Sequence, residues 1–152
     1  MSNVDTYYYP ITAGRDFSGV ICAVGCAVKD FRPGMEVMGV VPPPFSGSHT
    51  QYVVTSYRNL AVKPKNQSYA EAAAIPYAGL TAWSALNITG ELCFGARNKL
   101  VLVSGASGGV GTMAVQLLKL WGASVFLSNR HLQFSLWHVY VKSVSGNFYM
   151  CN

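Results

Sequence analysis

After Glu91 the sequence contains no acidic residue. The six carboxylates, Asp5, Asp16, Asp30, Glu36, Glu71 and Glu91, are balanced over that first stretch by six of the eleven basic residues. Arg97, Lys99, Lys119, Arg130 and Lys142 follow with no acid opposite. A nucleic-acid-binding chain gathers its positive charge on one face or along a stripe. Here the basic residues are scattered along the sequence, which argues against a nucleic-acid partner, and a local anion such as a cofactor phosphate accounts for the bias as well. Charged residues make up only 11% of the chain and apolar ones 51%, a balance that argues against intrinsic disorder. At 152 residues the chain is long enough for one ordinary core and too short for two complete average domains.

Long hydrophobic runs are missing as well. No stretch of about 18 uninterrupted apolar residues occurs, so no membrane span is expected. The opening MSNVDTYYYPIT has neither a basic segment nor an apolar core, so neither a secretory signal nor a transit peptide is visible. Cysteine is sparse: Cys22, Cys26, Cys93 and Cys151. Cys22 and Cys26 fall in a strand-like run, on one face about 13 Å apart, too far for a shared metal or a disulfide. They read as buried small residues of a reducing compartment. His49, His131 and His138 have no partners at zinc-ligand spacing, so no metal site is expected.

What is present begins with a β-rich region over residues 11–66. An alternating apolar stretch from Val20 to Val24 reads as one strand. Pro33-Gly34 marks a tight turn before the next strand, Val37 to Val41. Proline has no N–H to donate, so Pro42-Pro43-Pro44 interrupts pairing. Thr50 to Thr55 and Leu60 to Val62 read as two more strands, and the ensemble suggests a barrel-like β domain. Ser68 with Glu71 three residues later forms a capping box for a short helix over Ala70 to Ala74, stopped by Pro76. Gly79 to Leu86 reads as a second helix.

The rest of the chain is organised around KLVLVSGASGGVGTMAVQLLKLW, from Lys99 to Trp121. The apolar run Leu100 to Val103 suits a buried parallel strand, a glycine-rich turn follows, and a helical pattern then carries Met113, Val115, Leu117, Leu118, Leu120 and Trp121. That context makes the glycine motif a dinucleotide-site hypothesis. In register the turn reads Ala106-x-Gly108-x-x-Gly111, with alanine in the first glycine's place. Gly108 lets the backbone approach a pyrophosphate, and Gly111 lets the helix pack closely on the strand. The N–H groups of Gly109 and Val110 would face the phosphates at a helix start, where the dipole favours anions. The alternative is a tight strand-to-helix turn with no ligand. Gly122 suits the helix C-cap, and Ala123 to Leu127 completes a β-α-β unit. The acid that binds a ribose 2′-hydroxyl about 20 residues past the motif is replaced by Ser128-Asn129-Arg130. A hydroxyl, an amide and a guanidinium suit a 2′-phosphate, which favours NADPH; the alternative is that Arg130 is an ordinary exposed arginine.

These residues resemble the zinc-independent branch of the medium-chain dehydrogenase/reductase superfamily, the quinone oxidoreductase-like enzymes. The matching segments are Gly14-Arg15-Asp16 through Gly19-Val20, Phe31-x-Pro33-Gly34-x-Glu36-Val37, Val41-Pro42-Pro43, Lys63-Pro64-Lys65, PYAGLTAWSAL from Pro76 to Leu86, and GASGGVGT from Gly105 to Thr112. The resemblance implies an α/β chain: a partial GroES-like β-barrel substrate domain over 1–78, then the first β-α-β unit of a Rossmann NADP-binding domain over 79–130, truncated at both ends. It implies NADPH-dependent hydride transfer to a quinone or another conjugated carbonyl. It also implies pyrophosphate contacts at Ser107, Gly109 and Val110, and a nicotinamide end near Tyr77 to Trp83. Tyr77 and Thr81 are the candidate catalytic side chains, Thr81 first; interdomain packing is the other reading for this stretch, for Trp83 and also for Thr81. Arg15 and Asp16 read as a structural pair. Zinc members of the superfamily carry Gly-His-Glu where this chain has Gly14-Arg15-Asp16, and arginine stays protonated and cannot be a neutral nitrogen ligand. The resemblance further implies a mitochondrial placement, with the cytoplasm as the alternative, and a homodimer whose contact segments this chain lacks.

The tail from His131 to Asn152 has one charged side chain and five aromatics and does not match. Phe134 to Val141 resembles an aggregation-prone strand, as expected of a different reading frame, an alternative exon or a misassigned gene boundary. The alternative to an enzyme is a non-catalytic fragment that retains only the phosphate-binding turn.

Overall fold

The computed structural model describes residues 12–43 and 46–128, together with the backbone of two C-terminal strands, Val139–Lys142 and Phe148–Cys151. The chain divides into two compact units, Met1–Tyr77 and Ala78–Asn152.

The first unit is built on a three-stranded antiparallel sheet, order β1-β2-β3, with β1 Asp16–Val20, β2 Glu36–Val40 and β3 Leu60–Val62. Asp16 pairs with Val40 and Val20 with Glu36, so β1 and β2 run opposed along their whole length. Gly34, at φ 88°, follows Pro33 in a turn closed by Met35 N–H to Arg32 C=O at 3.3 Å, a geometry open to glycine and favoured by the preceding proline. This turn corrects two expectations. The first strand lies over 16–20 rather than 20–24, because β2 begins only at Glu36 and the chain before it is turning, so residues beyond Ile21 have no ladder to join. Cys22 and Cys26 are therefore outside any strand and exposed, not buried. The strand expected over Thr50 to Thr55 is likewise absent: both edges of β2 are taken, by β1 and β3, and Tyr52 and Val54 are 73% and 88% exposed. The loop-facing side of the sheet lines a cleft of about 610 Å³ walled by Phe17, Ile21, Val28, Phe31 and Leu60.

Two side-chain networks brace this unit. The Ser68 hydroxyl accepts from Glu71 N–H while the Glu71 carboxylate accepts from Ser68 N–H at 2.8 Å, the expected capping box, and starts α1 (Tyr69–Ala73). These bonds hold the Glu71 carboxyl below its ordinary value, the backbone N–H of Ser68 contributing most. Lys63 is buried, and its ammonium donates to Pro64 C=O at 3.1 Å and Gln67 C=O at 2.7 Å, with Glu36 Oε2 at 3.4 Å and the Tyr69 ring 5.1 Å away. The Tyr69 hydroxyl donates to Glu36 Oε1. That bond, then the Lys63 ammonium, pulls the Glu36 carboxyl down, and the same carboxylate pushes the Tyr69 hydroxyl up.

The second helix, α2, runs Pro76–Trp83 and passes into π-helical turns over Ser84–Thr89. It begins three residues before the expected start because proline is suited to a first helical position, where its missing N–H is no loss. The Asp16 carboxylate accepts from Tyr77 N–H at 2.6 Å and so caps this helix from β1, 61 residues away. Asp16→Ala is expected to lower stability by about 1 kcal/mol and to speed exchange of the Tyr77 amide, whereas Asp16→Asn, which keeps an acceptor, retains most of both. Hydrogen exchange with thermal unfolding checks this. Arg15 donates to Val41 C=O at 3.3 Å.

The second unit contains a four-stranded sheet in the order β5-β4-β6-β7. Its centre is β4 (Leu100–Ser104), parallel to β5 (Ser124–Ser128) through the crossover helix α3 (Gly109–Leu120). Strand β4 is not buried on both faces. Val101 and Val103 point into the core, while Leu100 is exposed and Leu102 half-buried, so the continuous apolar run resolves into a covered and an open face. Helix α3 supplies Gly111, Ala114 and Leu118 to the covered side, small residues bringing the helix close and Leu118 filling the centre. Leu86, Leu92, Ala82 and Ala96 close the core. Trp83 meets the Trp121 ring edge-on at 5.5 Å. On the other side of β4 an antiparallel pair follows, β6 (Val139–Lys142) and β7 (Phe148–Cys151), with Leu100 opposite Lys142 and Val103 opposite Val139. The strand expected over Phe134 to Val141 overlaps β6 from Val139; residues 134–138 lie outside the described residues. Among the described residues no helix is long and apolar enough to cross a membrane.

Candidate dinucleotide site

The turn between β4 and α3 is held from two sides. Ser128 C=O, at the end of β5, accepts from Gly105 N–H at 2.9 Å and Ala106 N–H at 3.4 Å, and Gly105 C=O accepts from Gly108 N–H at 3.0 Å. Gly105 has φ 69°, so the tight reversal belongs to it and not to Ala106, which is buried and in the register position of the first fingerprint glycine. Gly105 was legible only as a neighbour of the motif.

Gly108 is the N-cap of α3 and offers no side-chain acceptor. The first-turn N–H groups of Gly109 and Val110 therefore lack the partners that a capping side chain would give, and an anion can take its place. The Thr112 hydroxyl donates back to Gly108 C=O at 2.6 Å and Gly109 C=O at 3.0 Å, which stiffens this first turn; nothing in the motif announced it. Ser107 and Gly109 are exposed.

The glycines divide by what surrounds them. A Cβ on Gly111 would collide with Gly105 C=O and stand 2.8 Å from Ala106 Cα, so helix and turn touch there. A Cβ on Gly109 would meet only Ala78 Cβ, at 3.9 Å, an ordinary contact. Gly109 thus leaves an open cradle above the helix start, and Gly111 makes the close packing beneath it.

The structure brings Ala106, Ser107, Gly108, Gly109, Val110, Gly111 and the main chain of Ser128 to this turn. Arg130 and Asn129 lie outside the described residues. Thr81, exposed, follows Ala78 by three residues along α2, on the adjoining part of the same helix face. Tyr77, also exposed, belongs to the first unit. Among the described residues no three His, Cys, Asp or Glu side chains are grouped to hold a metal ion.

A strand-turn-helix-strand of this kind, preceded by an antiparallel β unit, makes an α/β chain whose arrangement is shared with alcohol dehydrogenase superfamily structures. Residues 2–85 match the alcohol dehydrogenase GroES-like domain, and the chain belongs to that family. It is 48% identical over 118 residues to the mouse NAD(P)H oxidoreductase RTN4IP1, mitochondrial, and 48% over 121 residues to the human protein of that name. A 2-methylene-furan-3-one reductase of Solanum lycopersicum is 39% identical over 122 residues. These alignments cover 76–77% of this chain, which spans about 30% of the length of the relatives. Among solved structures, an alcohol dehydrogenase superfamily protein from Novosphingobium aromaticivorans aligns with TM-score 0.73 at 33% identity, over 80% of this chain and 36% of its own. The quinone oxidoreductase of Coxiella burnetii aligns with TM-score 0.68 at 35% identity, over 78% and 36%.

Proposed function

We propose that this chain carries the substrate-side β unit and the phosphate-binding turn of an NADPH-dependent oxidoreductase acting on a quinone or another conjugated carbonyl. The observation that carries this reading is the pairing of an open cradle at Gly109 with close packing at Gly111, on a helix start with no side-chain cap. When bound, the nicotinamide cofactor supplies the hydride. The chain's own residues bind and orient: Gly109 and Val110 N–H groups hold the diphosphate, Ser107 adds a hydroxyl beside it, and Ser128 with Arg130 receives the 2′-phosphate. Thr81 is the polar contact for the nicotinamide end, with Tyr77 as the second candidate. Arg15, in place of a neutral nitrogen ligand, supports a reaction without zinc. The names of the relatives support a mitochondrial placement.

A second reading is a non-catalytic piece that retains the turn alone. It is favoured by the antiparallel pair β6-β7 beside β4, which occupies the sheet edge where a doubly wound sheet continues with a parallel strand. Titration with NADPH and NADH, followed by nicotinamide fluorescence, separates the two. Saturable binding that prefers NADPH is expected. No binding by a folded chain would leave the turn as a connection and the second reading in place.

A further inference from the structure

The end of the second unit away from the cofactor turn gathers what the sequence scatters. The turn follows the C-terminal end of β4; at the other end, about 15 Å away along the strand, lie the connection 90–99, the start of β5 and the last turn of α3. Arg97 reaches over the helix end, its Nε 3.9 Å from where a Cβ on Gly122 would stand, and Lys99 Nζ is 3.4 Å from the same position on Gly95. Lys99 C=O accepts from Ser124 N–H at 2.9 Å, and Lys119 C=O from Gly122 N–H at 3.1 Å, which ties these residues to one end of the sheet. Lys142 is placed there by register, opposite Leu100. Among the described residues none of Arg97, Lys99 and Lys119 has an ion pair. Lys119 has a local reason for its position, since the helix dipole favours a cation at a C-terminus. Arg97 and Lys99 have none.

Glu91 is the one acidic side chain of the whole second unit. It is exposed, and its carbonyl stands 3.8 Å from the Cβ position of Gly95, so it belongs to this end and is outnumbered. At this same end two large apolar side chains stand clear of the protein: Phe94, in the connection 90–99, is fully exposed and Leu120, the last residue of α3, is 81% exposed.

We propose that this end is a membrane-contact surface for an anionic phospholipid bilayer, with Phe94 and Leu120 entering the headgroup layer and Arg97, Lys99 and Lys119 meeting the phosphates. Cations flanking apolar side chains are the pattern of an interfacial anchor, in which charge attracts and the apolar group holds. A bilayer fits better than a folded acidic protein because Phe94 projects with no groove around it, and a headgroup layer needs no matching shape. The surface leaves the cofactor turn facing away.

The test is co-sedimentation of the purified chain with phosphatidylcholine vesicles, with and without about one third phosphatidylserine. Binding to the anionic vesicles alone, weakened by salt, is expected. Each cation contributes roughly a fivefold change, so R97Q/K99Q/K119Q should bind about a hundredfold more weakly. F94S should weaken binding at every salt concentration. All four substitutions lie on exposed or half-buried side chains remote from the core, and an unchanged thermal midpoint confirms folding. Equal binding to neutral vesicles, or an unaltered triple variant, overturns the proposal. So does equally tight binding to soluble polyglutamate that is indifferent to F94S, which would mark the surface as one for an acidic protein.

Discussion

Gly111→Ala is expected to lower the thermal midpoint of the second unit by roughly 10–20 °C. The added methyl group would drive into Gly105 C=O and stand 2.8 Å from Ala106 Cα. Both are main-chain atoms of a turn already fixed by two hydrogen bonds to Ser128 C=O, so neither side can yield cheaply. Overpacking of this kind costs about 2–3 kcal/mol, and in a unit of this size each kcal/mol moves the midpoint by roughly 4–8 °C. Gly109→Ala is the matched control, because its methyl group meets only Ala78 Cβ at ordinary distance. That variant should fold with its midpoint unchanged or raised, since alanine is the better helix former. It should lose NADPH affinity by tenfold or more, because the methyl group fills the cradle. Differential scanning fluorimetry with and without NADPH reads both effects. A Gly109→Ala protein that binds as the natural chain does would remove the cradle from the account.

Lys63→Met is expected to destabilise the first unit by about 2–3 kcal/mol, since it leaves Pro64 C=O and Gln67 C=O without a donor in a buried place. Gln67 Oε1, itself buried without a partner, shows that this pocket has no donor to spare. The two networks of this unit give a pH dependence. Glu36 and Glu71 both have carboxyls held below the ordinary value of 4.5 in the folded chain. A folded value below the unfolded one means that the folded chain binds fewer protons, so this stabilisation is complete above 4.5 and is lost as pH falls through the lower folded values. Tyr69, raised above its ordinary value of 10.0, works in the opposite sense: its contribution is present below 10.0 and is lost as pH rises through the folded value. Glu36→Gln should flatten the acid limb, leaving the part due to Glu71. Thermal midpoints across the acid range, compared between the natural chain and Glu36→Gln, check the sign.

Features that depend on neighbours in the chain were legible. The capping box of Ser68 and Glu71, the Pro33-Gly34 turn and the strand-turn-helix from Leu100 to Leu120 each rest on residues within one or two turns of each other. So does the demand for glycine at 111. The family resemblance rested on the same local segments, and the match of residues 2–85 to the GroES-like domain agrees with it. Features that depend on a distant partner were not legible. Thr50 to Thr55 has strand composition and pairs with no described strand, Tyr52 and Val54 standing exposed instead. Cys22 and Cys26 have strand spacing in a loop, because the partner strand starts too late. Asp16 caps a helix 61 residues on, a partner that its neighbours in the chain did not announce.

The sequence by itself therefore determined several local units and their order: strands β2 and β3, the capped α1, and the β-α-β unit with its glycine turn. Backbone geometry, hydrogen-bonding capacity and side-chain size act over a few residues, and those are written in the order of the amino acids. Only the tertiary structure decided which strands found edges, that Lys63 is buried on two carbonyls, that Ser128 holds the turn through its main chain, and that Arg97 reaches the end of α3 beside Gly122. Each of these depends on which surfaces meet across tens of residues, and composition and spacing do not carry that information.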